Sequence, residues 1–253
     1  MRIFLKTEDE IILLRAASQL ATRALIEVGR HVVPRLALSH LRNKVVNAVM
    51  RTVPTESNFG KEALSSDTEF TFFVNGAYIE PSLEGECMLC EGDWLTVNCW
   101  VCLDGYYSFG AHTFIVGSSQ DDEPMISTLR DMLRQVVRRA SAGHSIKEMS
   151  RTVYSLHSHD PYVLQKTFGH GVGRNRVENP ILRMNPGVND TVLLKEGMCL
   201  VIALAFKHGR SHFIKPRLMH ESTFHNPFVP FGTTVVVRPG RPEILTSFET
   251  IVK

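Results

Sequence analysis

The sequence predicts an α+β fold with helices laid over one face of a curved antiparallel sheet. Three features predict it. Apolar residues at helical spacing open the chain, strand-like runs broken by turn dipeptides follow, and an acidic-glycine turn feeding an apolar strand occurs once in each half. At 253 residues, 43% hydrophobic and 21% charged, the chain is large enough to bury its own core and too apolar for a disordered polymer. We expect one domain over 1–253, built from halves of about 1–120 and 121–253.

The first helix is announced by a capping box. Thr7 stands three positions before Glu10, and Ile11, Leu14, Ala17, Ala21, Ala24, Leu25 and Val28 repeat at helical spacing until Gly29 and Pro34. A second helix places Leu38, Leu41, Val45 and Val49 on one face, and the polar stretch 54–67 reads as a loop. Strands are expected over Phe70–Val74, Trp94–Leu103 and Tyr106–Val116, the last two joined by the hairpin signal Asp104-Gly105. A third helix follows Asp121-Asp122-Glu123-Pro124, with acids and a proline suited to a helix start. Its apolar face is Ile126, Leu129, Leu133, Val136, Val137 and Ala140. A fourth helix is expected over about 145–156, then strands at Val192–Leu194, Leu200–Phe206, Thr233–Val237 and Glu243–Leu245. The segments Glu91-Gly-Asp-Trp-Leu-Thr-Val and Glu196-Gly-Met-Cys-Leu-Val-Ile form a faint repeat, each a turn entering a buried strand.

Bulk properties exclude several classes. No apolar run approaches the roughly 20 residues of a membrane span, and the opening MRIFLKTEDE lacks the apolar segment of a secretory signal. A formal charge of +2 does not by itself imply nucleic-acid binding. Five cysteines, an odd number, fit reduced thiols in a cytoplasmic protein.

Specific motifs then appear in order. LKTEDEIILLRAASQLATRAL resembles the opening helix of type I methionine aminopeptidases, and EGDWLTVNCWVCLDGYYSFGAHTFIVG resembles their central strand pair. FGHGVGRNRVENP resembles their glycine-flanked histidine segment, LLKEGMCLVIALAF their second-half strand, and FGTTVVVRPGRPEILT their closing strand. The resemblance covers about residues 3 to 250 and implies the pita-bread fold, two pseudo-symmetric halves around one cleft. It also implies a pair of divalent ions held by two aspartates, one histidine and two glutamates, which activate a water for attack on the peptide carbonyl.

Residue by residue, those five positions correspond to Asn98, Phe109, His170, Ala203 and Gly232. Only the histidine is of the ligand type. Two substrate-facing histidines of the family correspond to Glu80 and Val177. The resemblance therefore implies a family member that lacks most of its ligands and binds no metal pair. Non-catalytic members of this fold family act as protein-binding or ribosome-associated factors, so an unknown protein, a nascent peptide or the ribosome is the expected kind of partner. A small-molecule or peptide ligand in an apolar pocket stays open. The alternative is a metal-dependent aminopeptidase with a relocated site. Phe109, far larger than an aspartate, could fill the hollow left at Ala203 and Gly232, since an open void in a packed site costs several kcal/mol, on the order of large-to-small penalties.

Other candidates have plain readings. His170 without carboxylates beside it reads as a hydrogen-bonded histidine, because a catalytic metal needs about three protein ligands. Cys87-x-x-Cys90 and Cys99-x-x-Cys102 have zinc-like spacing, but the second pair lies in a strand and points to opposite faces, so free buried thiols are expected. His208, His212, His220 and His225 would carry the relocated metal site, or are surface residues on a loop. Arg130, Arg134 and Arg138 recur at i, i+4 and i+8 with Arg139 beside them, as a solvated helix face or a contact for phosphate or a partner. Glu80 and Glu178 are the carboxylates that could face the cleft.

Overall fold

The computed structural model describes residues 2–53, 64–117, 124–157, 163–164, 167–185, 192–207, 228–247 and 249–251. The element order is α1 (Glu8–His31), α2 (Leu38–Thr52), β1 (Glu69–Val74), β2 (Ala77–Ile79), β3 (Trp94–Leu103) and β4 (Tyr106–Ile115). There follow α3 (Pro124–Arg138), α4 (Ile146–His157), β5 (Val163–Leu164), β6 (Thr167–Gly171), β7 (Glu178–Arg183), β8 (Cys199–Lys207), β9 (Phe228–Val236) and β10 (Glu243–Ile244).

One antiparallel sheet runs β2-β1-β3-β4-β9-β8-β6-β7, with β10 on β9 and β5 on β8. The order is palindromic about the β4–β9 seam, so each half contributes a four-stranded block with its turn-fed strand second from the seam. The repeated turns explain the equivalence. Gly92 and Gly197 both take φ near +80°, a left-handed conformation that glycine adopts without a Cβ clash, and β3 and β8 start two residues later. The expected duplication is thus present in the strand order.

The two sheet faces have different fates. Leu95, Val97, Cys99, Val101 and Leu103 of β3 pack with α1 and α2, while Leu200, Ile202 and Leu204 of β8 pack with α3 and α4. Intervening residues, among them Asn98, Trp100 and Ala203, point to the other face, since side chains alternate along a strand. That opposite face is where the candidate site lies.

Helix ends follow the sequence. The Thr7 hydroxyl accepts from Glu10 N–H while Thr7 N–H donates to the Glu10 carboxylate at 2.9 Å, closing the capping box. Ser145 and Glu148 form a second such box at α4. Gly29 does not stop α1; it is buried inside the helix, which ends at His31 with Pro34 beyond. Val192–Leu194 is no strand, only an isolated bridge from Leu193 to Ser145. Strands β2, β5, β6 and β7 had no sequence forecast: β2 and β5 are very short, and glycines, Asn179 and Pro180 interrupt any alternation in β6 and β7. No helix among the described residues is long and apolar enough to cross a membrane.

Candidate functional site

Cross-strand register brings four of the singled-out strands together at the seam. Asn98 lies opposite Ala111, Ala111 opposite Gly232, and Gly232 opposite Ala203. Directly opposed residues share a face, so these four form one lateral row across the middle of the sheet. Asn98 and Ala203 each stand six residues after the glycine of their half's turn, and are therefore equivalent ends of the row. One step along, Trp100 lies opposite Phe109, and His170 lies opposite Val201, two residues from Ala203 on the same face.

Phe109 fills the space that the row leaves. A Cβ placed on Gly232 would come 2.6 Å from Phe109 Cε1 and 3.1 Å from the Ala203 methyl, so the ring occupies the volume a side chain at 232 would need. Phe109 is 7% exposed, and its ring centroid is 4.7 Å from that of Trp100. Trp100 in turn lies parallel to the His170 imidazole, with centroids 6.1 Å apart and planes at 8°. The expected packing of Phe109 across this cleft is what the structure contains.

Hydroxyls hold Phe109 from behind. Beyond the Ala111–Gly232 pair the β4–β9 ladder breaks off, which leaves the Phe109 backbone in need of partners. Thr234 Oγ1 accepts from Phe109 N–H at 2.9 Å and donates to Phe109 C=O at 2.9 Å, and the Thr246 hydroxyl donates to the same carbonyl at 3.0 Å. Ser18 and Ser108 extend this buried network, their oxygens 2.6 Å apart. Side chains thus replace the missing ladder and fix the ring's origin.

His170 is positioned by glycines. A Cβ at Gly169 would lie 2.2 Å from the Val201 carbonyl oxygen, so glycine is required for β6 to approach β8 this closely. Nδ1 of His170 is 2.8 Å from the Gly171 carbonyl oxygen, which makes it the N–H donor. Burial holds the imidazole pKa below its ordinary value, opposed by that hydrogen bond. A neutral, hydrogen-bonded ring follows at neutral pH. Asn98 Oδ1 is buried and accepts no hydrogen bond from the described residues.

A strap crosses the cleft mouth. Arg176, in the turn between β6 and β7, donates to Glu69 at 2.8 Å and to the Asp67 carbonyl at 2.6 Å. Its guanidinium carbon lies 5.7 Å from the ring centres of both Trp100 and Tyr107, a cation–π arrangement, and Tyr107 donates to Asp67 at 2.6 Å. The strap also holds the Glu69 carboxyl pKa below its usual range, chiefly through the Arg176 hydrogen bond.

The remaining candidates separate. Glu178 does not join Glu80 in the cleft: its carboxylate is 2.6 Å from Lys6 Nζ, both side chains 5% exposed, in a pair that ties the N-terminal arm to β7. Lys6 carried no signal in the sequence, and only the capping box just after it hinted at how the arm sits. Glu80 precedes a single 3-10 turn, Pro81–Leu83, and is exposed, as is Val177. All five cysteines are free; four are buried, but Cys90 is exposed, contrary to expectation. Burial pushes the Cys87 thiol up to about 11 and Cys199 up to about 12. Arg134 is paired with Asp131 at 2.7 Å and Glu249 at 3.1 Å, while Arg138 and Arg139 are exposed and Arg130 half-buried. His208, His212, His220 and His225 lie outside the described residues. Among the described residues no group of three or more His, Cys, Asp or Glu could hold a metal ion.

Comparison with known proteins agrees with the layout. The family model for metallopeptidase family M24 matches residues 12–239. A methionine aminopeptidase of Helicobacter pylori is 29% identical over 220 residues, covering 83% of this chain and 85% of its own length. The methionine aminopeptidase structure from Thermotoga maritima superposes with a TM-score of 0.77 at 21% identity, over 97% of this chain and all of that one. The N-terminal domain of the FACT complex subunit SPT16 from chickpea shares the fold with a TM-score of 0.71 at 16% identity, over 98% of this chain and 60% of that one.

Proposed function

The chain belongs to metallopeptidase family M24, and we propose that it is a catalytically inactive, methionine aminopeptidase-like member whose fold serves as a binding module for a protein or peptide. The observation that carries this reading is the Phe109 ring against Gly232, 2.6 Å from where a side chain there would begin. The family's reaction, as the resemblance implies it, needs four carboxylates and a histidine around two ions. Here the corresponding positions offer one neutral amide, one imidazole, two hydrocarbon side chains and a glycine with no side chain at all. Hard divalent ions take anionic oxygen donors, and neither Asn98 nor His170 is anionic. These residues do not fit a metal pair.

Retention of the frame supports a binding role. The strand order, both glycine turns and the seam network are all in place around a centre that has changed its chemistry. That the same fold stands as a domain of a FACT complex subunit accords with service inside an assembly. The test is metal analysis of the purified protein together with hydrolysis of methionyl peptides, with the Helicobacter pylori relative as the positive control. We expect substoichiometric metal and no turnover above background. Stoichiometric divalent metal with chelator-sensitive turnover would refute the reading and favour a site relocated to the histidines of 208–225.

A further inference from the structure

On the helical side of the sheet, away from the cleft, a groove of about 610 Å³ runs between α3 and the turn leading into β10. Arg134, Arg138, Arg241 and Glu249 line it, with Val137 and Ile244 among its apolar residues. Three guanidiniums against one carboxylate give the groove a formal charge of 3 − 1 = +2, equal to that of the whole chain. Asp131, paired with Arg134 beside the groove, brings the local excess to 3 − 2 = +1. Arg134 is engaged by Asp131 and Glu249, but Arg138 and Arg241 make no ion pair among the described residues. Two forks of bidentate donors are left open to an anionic partner.

The apolar part decides which anion. Ile244 is 41% exposed, and Val137 forms the buried base beside it. A nucleic-acid backbone would use the arginines but gain little from an isoleucine, and none of the described residues that line the groove is aromatic. A peptide carrying both acids and an apolar side chain uses both features. Strand β10, which pairs with β9 alone among the described residues, borders the groove through Ile244.

We propose that this groove binds an acidic segment of a partner protein, with its carboxylates on Arg138 and Arg241 and an apolar side chain on Val137 and Ile244. The cleft plays no part in this, so the outcome of the metal and turnover assay leaves the proposal standing or falling on its own test. That test is fluorescence anisotropy of the full chain with a labelled peptide alternating glutamate and leucine. The comparison probes are a lysine–leucine peptide and a single-stranded RNA of equal charge. We expect saturable binding of the acidic peptide alone, weakened about 10-fold or more in an Arg138→Glu/Arg241→Glu variant and several-fold in Ile244→Asp, on the scale of contacts central to an interface. Thermal unfolding of each variant establishes that it is folded; should the double charge reversal not fold, Arg138→Gln/Arg241→Gln replaces it. Equal affinity in the folded variants, absence of saturation, or tighter binding of the RNA would each overturn the proposal.

Discussion

The two halves of the sheet face the same seam with opposite contents. The first half supplies bulk: β3 and β4 present Trp100 and Phe109. The second half supplies room: in the row one step away, β8 and β9 present Ala203 and Gly232. Neither half alone would make a sound interior, since large residues opposite large residues overpack and small opposite small leave a void. Set against each other they close the cleft. The difference teaches that the small residues on one side and the large ring on the other form one packing unit, which substitutions on either side can break.

Removal of the bulk has the largest expected effect. Phe109→Ala opens a cavity bordered by Trp100 and Gly232 and should lower stability by about 3–5 kcal/mol in chemical denaturation. A loss under about 1 kcal/mol would mean the ring does not pack as described. Filling the room comes next: Gly232→Ala drives a methyl into the ring and should cost about 1–3 kcal/mol. The two changes should couple. The alanine at 232 should do far less harm once Phe109 is gone, and strictly additive losses in the double-mutant cycle would show that the residues are independent.

How much of this was legible beforehand differs between frame and centre. The capping box at Thr7 and Glu10, the Asp104-Gly105 hairpin and both acidic-glycine turns are local signals, and each was realised within a residue or two. The fit of Phe109 beside Gly232 could also be read, because each of the two lies in a contiguous motif. Strands β6 and β7 could not, since glycines and a proline hide them from any periodicity and neighbouring strands define them. The Arg176 strap, the Thr234 and Thr246 hydroxyls around Phe109, and the Lys6–Glu178 pair join residues more than 100 positions apart. No local pattern announces such partners.

Smaller effects sharpen the comparison further. Asn98 is the polar end of the row, and its Oδ1 is buried with no donor among the described residues. Asn98→Leu should therefore raise stability, by about 1 kcal/mol, the scale of an unmet hydrogen bond. A clear loss on denaturation would show that the amide has a partner essential to the fold. The last effect concerns pH. Burial depresses the His170 pKa, so the unfolded chain binds the proton first as pH falls below about 6.5, the ordinary imidazole value. Stability is then full above that pH and declines beneath it. Denaturation midpoints at pH 7 and pH 5.5 should fall less in His170→Gln than in the unsubstituted chain, and equal falls would mean that the ring titrates as it does in water.

The central claim, that the old metal cleft is filled by complementary side chains and holds no metal pair, is tested most directly by calorimetric titration of the purified chain with Mn²⁺ and Co²⁺, alongside the Helicobacter pylori methionine aminopeptidase. The account predicts saturable heat for the relative and none for this chain. Saturable binding near two ions per chain would contradict it.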